Sequence, residues 1–217
     1  FIFLTLFSYD SFSQSSKKLE PIDVFSMEYV SDPRISPDEK KILYVRNFKD
    51  IMTDKNYSNI WMINFDGSNN TPITTGNQND FSPVWSNSGK MFSYKSNSDG
   101  SLQLYLYRIF QTHITQSSTQ KLTNLQSSIG SVDWSSDDKF LTFNSFVEVS
   151  KNKFIEMPKQ PKGAKWNKPP IEIDDMNYRN DGRGYKKQGN SQVFTLPVEG
   201  GTPRQVTFLD KDAGSPK

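Results

Sequence analysis

The chain has 217 residues, a net charge of +2 and no cysteine. So balanced a charge gives no electrostatic case for binding nucleic acid or a membrane surface, and neither is expected as a partner. The lack of cysteine excludes disulfides, thiolate metal sites and a cysteine nucleophile, but it does not identify the cellular compartment. Aromatic residues make up 13% of the chain, which suits a protein whose sheets pack face to face.

The first residues are apolar and are typical of the end of a secretory signal peptide. Phe1 to Phe7 form an apolar run, and Ser11-Phe12-Ser13 before Gln14 fits a small-x-small cleavage site. The run is too short to cross a membrane as a helix. Residues 1–14 are therefore predicted to be a signal peptide remnant, which implies a periplasmic or secreted protein. The alternatives are an edge strand of the fold and a cytoplasmic location.

Only one short segment shows helical character. It covers residues 23–30, where Asp23 is placed to act as the N-cap of a helix that precedes the first repeat.

A ten-residue segment then occurs three times. Each copy has a bulky residue, a serine, a polar turn, a lysine and an alternating apolar run, and the serines are Ser36, Ser86 and Ser135. Their spacings are 50 (86 − 36) and 49 (135 − 86) residues. Self-similarity at a fixed period of this size indicates a repeat architecture. The flanking runs are short and rich in β-branched and aromatic residues, so each copy is predicted to be a hairpin.

A second pattern alternates with the first. Apolar runs at residues 60–63, 104–107 and 193–196 are followed by polar turns and then by Ile73-Thr74, Leu122-Thr123 and Val206-Thr207. Each repeat thus holds about four strands in about 45 residues, which is the size of a β-propeller blade. The predicted fold is all-β: a partial propeller of about three four-stranded blades with a short N-terminal helix. The blades are placed near residues 31–76, 80–125 and 129–208, with a loop insertion near 147–190.

The rival interpretation is a β-sandwich, because its strands also recur at short spacing. A sandwich does not need its hairpins to match in sequence, however, and the three matched copies favour the propeller.

The repeated segments resemble the W-S-P-D-G-K blades of TolB-like propellers and of the N-terminal propeller of the prolyl oligopeptidase family of serine peptidases. Two stretches resemble its acylaminoacyl-peptidase and dipeptidyl-peptidase-like branch. One leads from Asp23 through Ser31-Asp32-Pro33-Arg34-Ile35-Ser36-Pro37-Asp38, and the other runs from Tyr178 to Tyr185 and on to Thr207. The resemblance covers roughly residues 20–217. The chain departs from the pattern at Ile35, which replaces tryptophan, and at Glu39 and Asp138, which replace the turn glycine.

The resemblance implies the propeller of an enzyme that hydrolyses short peptides on a C-terminal α/β-hydrolase domain. Its implied partners are peptide substrates and that domain. The nucleophile elbow Gly-x-Ser-x-Gly does not occur in this sequence. The chain is accordingly expected to be a fragment that stops at the start of a fourth blade, with the catalytic residues downstream. The alternative function is a non-catalytic, TolB-like scaffold that binds proteins.

No residue is predicted to be catalytic, cofactor-binding or metal-binding. The single histidine, His113, is interpreted as a surface residue, and the segment 96–101 as a hairpin turn rather than a calcium loop. The acidic group formed by Glu172, Asp174 and Asp175 is interpreted as a solvated loop or strand face. The lysine- and proline-rich segment 151–168 is interpreted as an extended loop inserted in the third blade. Three tryptophans are expected to pack between blades: Trp61, Trp85 and Trp134.

Overall fold

A computed structural model describes residues 18–109, 118–149, 158–167, 171, 173, 176, 178–182 and 184–216. The predicted signal peptide, His113 and the acidic group at 172–175 lie outside the described residues, as do parts of the 151–168 segment. Among the described residues, no helix has the length and hydrophobicity needed to span a membrane.

A 3-10 helix, Pro21–Ser26, precedes the first sheet. The helix was predicted at residues 23–30, and these bounds were wrong. The helix begins two residues before Asp23, and a strand already starts at Tyr29. Pro21 presets the backbone for the first helical position. Asp23 acts in the third position: its carboxylate accepts the N–H of Glu20, the N-cap residue, at 2.9 Å.

Three four-stranded antiparallel sheets form most of the described part of the chain, and each keeps its strands in chain order from one edge to the other. Blade 1 comprises β1 (Tyr29–Ile35), β2 (Lys41–Asp50), β3 (Lys55–Asn64) and β4 (Thr71–Pro72). Blade 2 comprises β5 (Asp80–Trp85), β6 (Met91–Ser96), β7 (Gln103–Arg108) and β8 (Ser118–Lys121). Blade 3 comprises β9 (Ile129–Trp134), β10 (Phe140–Glu148), β13 (Gly189–Pro197) and β14 (Arg204–Gln205). The predicted all-β partial propeller of three blades is confirmed.

The first strands of neighbouring blades contact each other, β1 with β5 and β5 with β9. Because the blades of a propeller converge on a central channel, we infer that these first strands form its inner wall.

The middle blade is buried on both faces. Along β7, Leu104 and Leu106 belong to a core cluster that includes Phe143 of blade 3. The alternate residues, Tyr105 and Tyr107, belong to a second cluster with the aliphatic side chains of blade 1. Successive residues of a strand point to opposite faces, so the sequence Leu-Tyr-Leu-Tyr supplies one packing surface to each neighbour. Three stacked sheets of this kind rule out the two-sheet sandwich.

The third blade contains the insertion. β10 and β13 pair without interruption from Phe140 with Pro197 to Glu148 with Gly189, so the inserted residues leave and return at the same end of the blade. A short hairpin lies within the insertion, β11 (Arg179–Asn180) with β12 (Gly184–Tyr185).

Candidate functional site

The repeated serine closes the same turn in every blade. Ser36 donates its N–H to the carbonyl oxygen of Lys41 at 2.8 Å, and its Oγ accepts the N–H of Lys41 at 2.9 Å. Ser86 and Ser135 make the same two bonds with the residue five positions later. The fourth turn residue has a left-handed φ in all three copies: +58° at Glu39, +68° at Gly89 and +57° at Asp138. Two of these turns therefore carry the strain that glycine avoids.

The hydroxyl groups of these serines are committed to the turns. Ser36 donates its hydroxyl hydrogen to Asp38 at 2.6 Å, and Ser135 donates to Asp137 at 2.7 Å. Both bonds hold the pKa of the accepting carboxyl below its ordinary value. A nucleophilic serine would need a base that accepts its proton during attack and is itself oriented by a third group. Here the hydrogen bond from the serine to the carboxylate stabilises the turn, and we assign the pair a structural role.

Two tryptophans tie neighbouring blades together. Trp85, the last residue of β5, donates its indole N–H to the carbonyl of Arg34 in blade 1 at 2.9 Å. Trp134, the last residue of β9, donates to the carbonyl of Val84 in blade 2 at 3.0 Å. The expected packing role is confirmed for Trp134, which is 8% exposed within the core cluster shared by blades 2 and 3.

The turns of blades 2 and 3 are joined through a carboxylate. Asp138 accepts the backbone N–H groups of Asn87 at 2.7 Å and Ser88 at 2.8 Å. Asn87 also donates its side-chain amide to the carbonyl of Ser135 at 2.8 Å. Burial alone would raise the pKa of Asp138, but the hydrogen bonds from Ser88 and Asn87 outweigh it and lower this pKa. The residue that replaces the turn glycine thus gains a function in blade docking.

A second repeated hydrogen-bond motif, built on a buried glutamine, was not predicted from the sequence. Gln103, which is fully buried at the start of β7, accepts the hydroxyl of Thr123 at 2.8 Å and the N–H of Leu125 at 2.9 Å. Gln192 in blade 3 accepts from Thr207 at 2.8 Å and Leu209 at 3.1 Å in the same way. The threonines belong to a pattern that the sequence showed, but their glutamine partners lie at different distances along the chain. The sequence feature that could have indicated these bonds is a glutamine 20 residues before Thr123 and 15 residues before Thr207.

The segment 96–101 forms a turn. The N–H of Gly100 donates to the carbonyl of Asn97 at 2.9 Å, which closes it. The carboxylate of Asp99 lies 2.9 Å from the ammonium of Lys121 and accepts the hydroxyl of Tyr105 at 3.0 Å. The hydrogen bond from Lys121 lowers the pKa of Asp99. The segment is therefore a turn between β6 and β7, and its one carboxylate is paired with a lysine.

A groove lies beside the outer strands of blades 2 and 3. Its volume is about 560 Å³, and residues 121–125 of blade 2 and 201–203 of blade 3 line it. Lys121 is the one ionisable residue in that lining. A general acid and base pair would need a second titratable group within reach of the same substrate atom. We therefore assign no chemistry to this groove, and the prediction that the chain carries no catalytic or metal-binding residue stays a prediction.

The sequence has curated relatives among peptidases, although no family model matches it. It is 26% identical to an uncharacterised peptidase of Bacillus subtilis, YuxL, over 89% of this chain and 28% of that protein. It is 33% identical to dipeptidyl-peptidase 5 of Porphyromonas gingivalis over 42% of this chain and 14% of that protein. The chain thus spans less than a third of the length of the curated relatives it matches.

The fold has solved counterparts as well. An acylaminoacyl peptidase of Pyrococcus horikoshii matches 81% of this chain with a TM-score of 0.58 at 18% identity, over 24% of its own chain. A structure of acylaminoacyl peptidase in complex with a chloromethyl ketone gives a TM-score of 0.59 with the same coverage. At this level of identity the structural match concerns the fold alone. Sequence and fold together confirm the resemblance of this chain to the propeller part of acylaminoacyl-peptidase- and dipeptidyl-peptidase-like proteins.

Proposed function

We propose that this chain is the propeller part of a serine peptidase that hydrolyses short peptides. The alignment with the Bacillus subtilis peptidase carries the proposal, because it extends over 89% of the chain and is therefore not confined to one blade motif. The catalytic α/β-hydrolase domain would be supplied by another part of the protein, since these 217 residues contain no nucleophile elbow. Hydrolysis there would proceed through an acyl-enzyme intermediate.

The propeller would act by controlling access. The indole bonds of Trp85 and Trp134 and the bridge from Asp138 to Asn87 hold successive blades against each other near their first strands. A wall of first strands held in this way would exclude folded proteins and admit flexible peptides. Its partners are accordingly peptide substrates and the hydrolase domain that the propeller covers.

A periplasmic or secreted location is part of the proposal and rests on the apolar residues 1–7 with the small-residue site before Gln14. N-terminal sequencing of the protein purified from its host tests it. A mature terminus near Gln14 is expected, and an uncleaved apolar segment would favour a cytoplasmic location.

The experiment that tests the activity compares the whole protein with residues 18–217 alone. The whole protein is expected to hydrolyse short chromogenic peptides and to lose this activity after treatment with a serine-directed inhibitor. Residues 18–217 alone are expected to show no hydrolysis. A folded propeller is confirmed in parallel by circular dichroism, so that inactivity is not confused with unfolding.

Two results would contradict the proposal. One is a whole protein that has no Gly-x-Ser-x-Gly segment and no inhibitor-sensitive hydrolysis, which would favour the scaffold alternative. The other is inhibitor-sensitive turnover by residues 18–217 alone, which would place the chemistry in the propeller.

A further inference from the structure

A small charged cluster lies on the first strands of blades 1 and 2 and the second strand of blade 2, and we call it the inner-edge cluster. It consists of Asp32 and Arg34 in β1, Phe81 in β5 and Lys95 in β6. A guanidinium nitrogen of Arg34 lies 2.8 Å from the carboxylate of Asp32. The ammonium of Lys95 lies 5.7 Å from the centroid of the Phe81 ring. The lysine stands directly opposite this phenylalanine in the sheet, so the two side chains lie on the same face.

The cluster holds two cations and one carboxylate. Asp32 is paired with Arg34, and among the residues that the structure describes no carboxylate forms an ion pair with Lys95. Lys95 is half-buried, and this burial lowers the pKa of its ammonium, whereas the charge of Asp32 acts in the opposite sense. A half-buried cation over an aromatic ring is attracted by the face of that ring, but a ring does not offer the hydrogen-bond acceptors that an ammonium needs. The ammonium therefore has hydrogen-bonding capacity left for an anionic ligand.

The backbone around the cluster is irregular in a repeated way. Asp32 and Ser82 stand at equivalent positions, 50 residues apart (82 − 32), and both have a left-handed φ, +50° and +53°. Each lies in a bulge of its first strand, between Ser31 and Arg34 in β1 and between Phe81 and Val84 in β5. Bulges change the direction in which neighbouring side chains point and are frequent at functional sites. Arg34 and Phe81, two members of the cluster, directly flank these bulges.

We propose that the inner-edge cluster binds a carboxylate of the peptide, with the ammonium of Lys95 as the donor. The inference rests on the proposed function, because a peptide is the ligand that this function brings to the channel. The carboxylate belongs either to the C-terminus of the peptide or to an aspartate or glutamate side chain. Phe81 supports the lysine stem and provides an apolar surface beside the carboxylate.

Peptide binding to the whole protein tests the proposal. The protein is first treated with a small serine-directed reagent, so that peptides are not consumed, and the dissociation constant is then measured by calorimetry for three probes. These are the tripeptide Gly-Gly-Phe with a free carboxylate, its C-terminal amide, and the amide of Gly-Glu-Phe. Tighter binding of the first probe identifies the C-terminal carboxylate as the ligand, and tighter binding of the third identifies the side chain.

Lys95→Met keeps the length of the stem and removes the charge, so it is expected to weaken binding of the preferred probe by about tenfold or more. Binding of the Gly-Gly-Phe amide, which has no carboxylate, should be unaffected. Lys95→Arg should recover part of the affinity, which a purely structural role would not produce. Lys139→Met is the matched control, because Lys139 is 75% exposed in a turn of blade 3 and should leave all three affinities unchanged. Unchanged melting temperatures show that the variants are folded.

Three results would overturn the proposal. They are equal affinity for all three probes, an equal loss of affinity for the preferred probe and for the Gly-Gly-Phe amide in Lys95→Met, or no binding of any probe. Hydrolysis without discrimination between acid and amide would contradict the carboxylate site and leave the peptidase function in place. Discrimination without inhibitor-sensitive hydrolysis would contradict the peptidase function and leave the site in place.

Discussion

Replacing Trp134 with alanine removes both the packing and the hydrogen bond that join blades 2 and 3. The side chain is 8% exposed and belongs to the cluster that includes Leu104, Leu106 and Phe143. Truncation of a buried tryptophan to alanine costs about 3–5 kcal/mol through lost burial and the cavity left behind. For a domain of this size, roughly 2–4 °C of melting temperature is lost per kcal/mol, so Trp134→Ala should lower the melting temperature by about 6–20 °C.

Phenylalanine variants separate the hydrogen bond from the packing. Trp134→Phe keeps an aromatic ring but removes the donor to the Val84 carbonyl, and the bond is worth about 1 kcal/mol. Trp61→Phe is the matched comparison, because the buried indole N–H of Trp61 has no acceptor in the described structure. It loses ring volume without losing a bond. Trp134→Phe should therefore be the more destabilising of the two.

Thermal unfolding followed by circular dichroism in the peptide region measures these effects, since tryptophan fluorescence would change with the substitution itself. Trp166→Ala provides the negative control, because Trp166 is 46% exposed in the insertion. If Trp134→Ala melts within one or two degrees of Trp166→Ala, Trp134 is not buried between blades. The face-to-face stacking of blades 2 and 3 would then be wrong.

Three further substitutions test other parts of the fold by the same unfolding assay. Gly189→Ala should destabilise severely, because φ is +148° and a Cβ would lie 2.1 Å from the carbonyl oxygen of Val147; Gly214→Ala, with open space around it, should be neutral. Gln103→Leu should cost about 1–3 kcal/mol by leaving buried partners unsatisfied, and a silent substitution would remove this glutamine from the blade framework. Asp138→Asn should remove a stabilisation that depends on pH. Since the folded pKa is lowered, this stabilisation is present above the unfolded pKa and is lost as the pH falls through the folded one. An identical pH profile for the variant and the wild type would show that the bridge to Asn87 contributes nothing.

The hairpins of each blade could be predicted because their causes are local. A serine, a polar turn and a lysine recur with the period of the fold, and the bonds that close the turn join Ser36 to Lys41 within five residues. The departures from the pattern also had local consequences. Glu39 and Asp138 replace glycine and nevertheless adopt left-handed conformations, because the two bonds of the turn determine the backbone there.

The contacts between blades could not be predicted, because they join residues about one repeat apart. Asn87 and Asp138 are separated by 51 residues, and neither differs in type from the many polar residues of other turns. The inner-edge cluster is a similar case. Lys95 lies in the segment Tyr-Lys-Ser-Asn, which reads as an ordinary strand end, and its environment is created by Phe81 opposite it and by Asp32 from the neighbouring blade. Only the register of the sheet and the order of the blades bring these groups together.

Alternation along a strand determined that blade 2 has two apolar faces, but not which blade each face would contact. Tyr94 and Tyr105 stack with ring centroids 5.5 Å apart and belong to the cluster shared with blade 1, and burial raises the pKa of Tyr94. In blade 1 the equivalent pair, Tyr44 and Trp61, stacks with the same interplanar angle of 25°. The same positions thus carry the same chemistry in both blades. The repeat therefore encodes the composition of each blade face, whereas the order of the blades determines which faces meet.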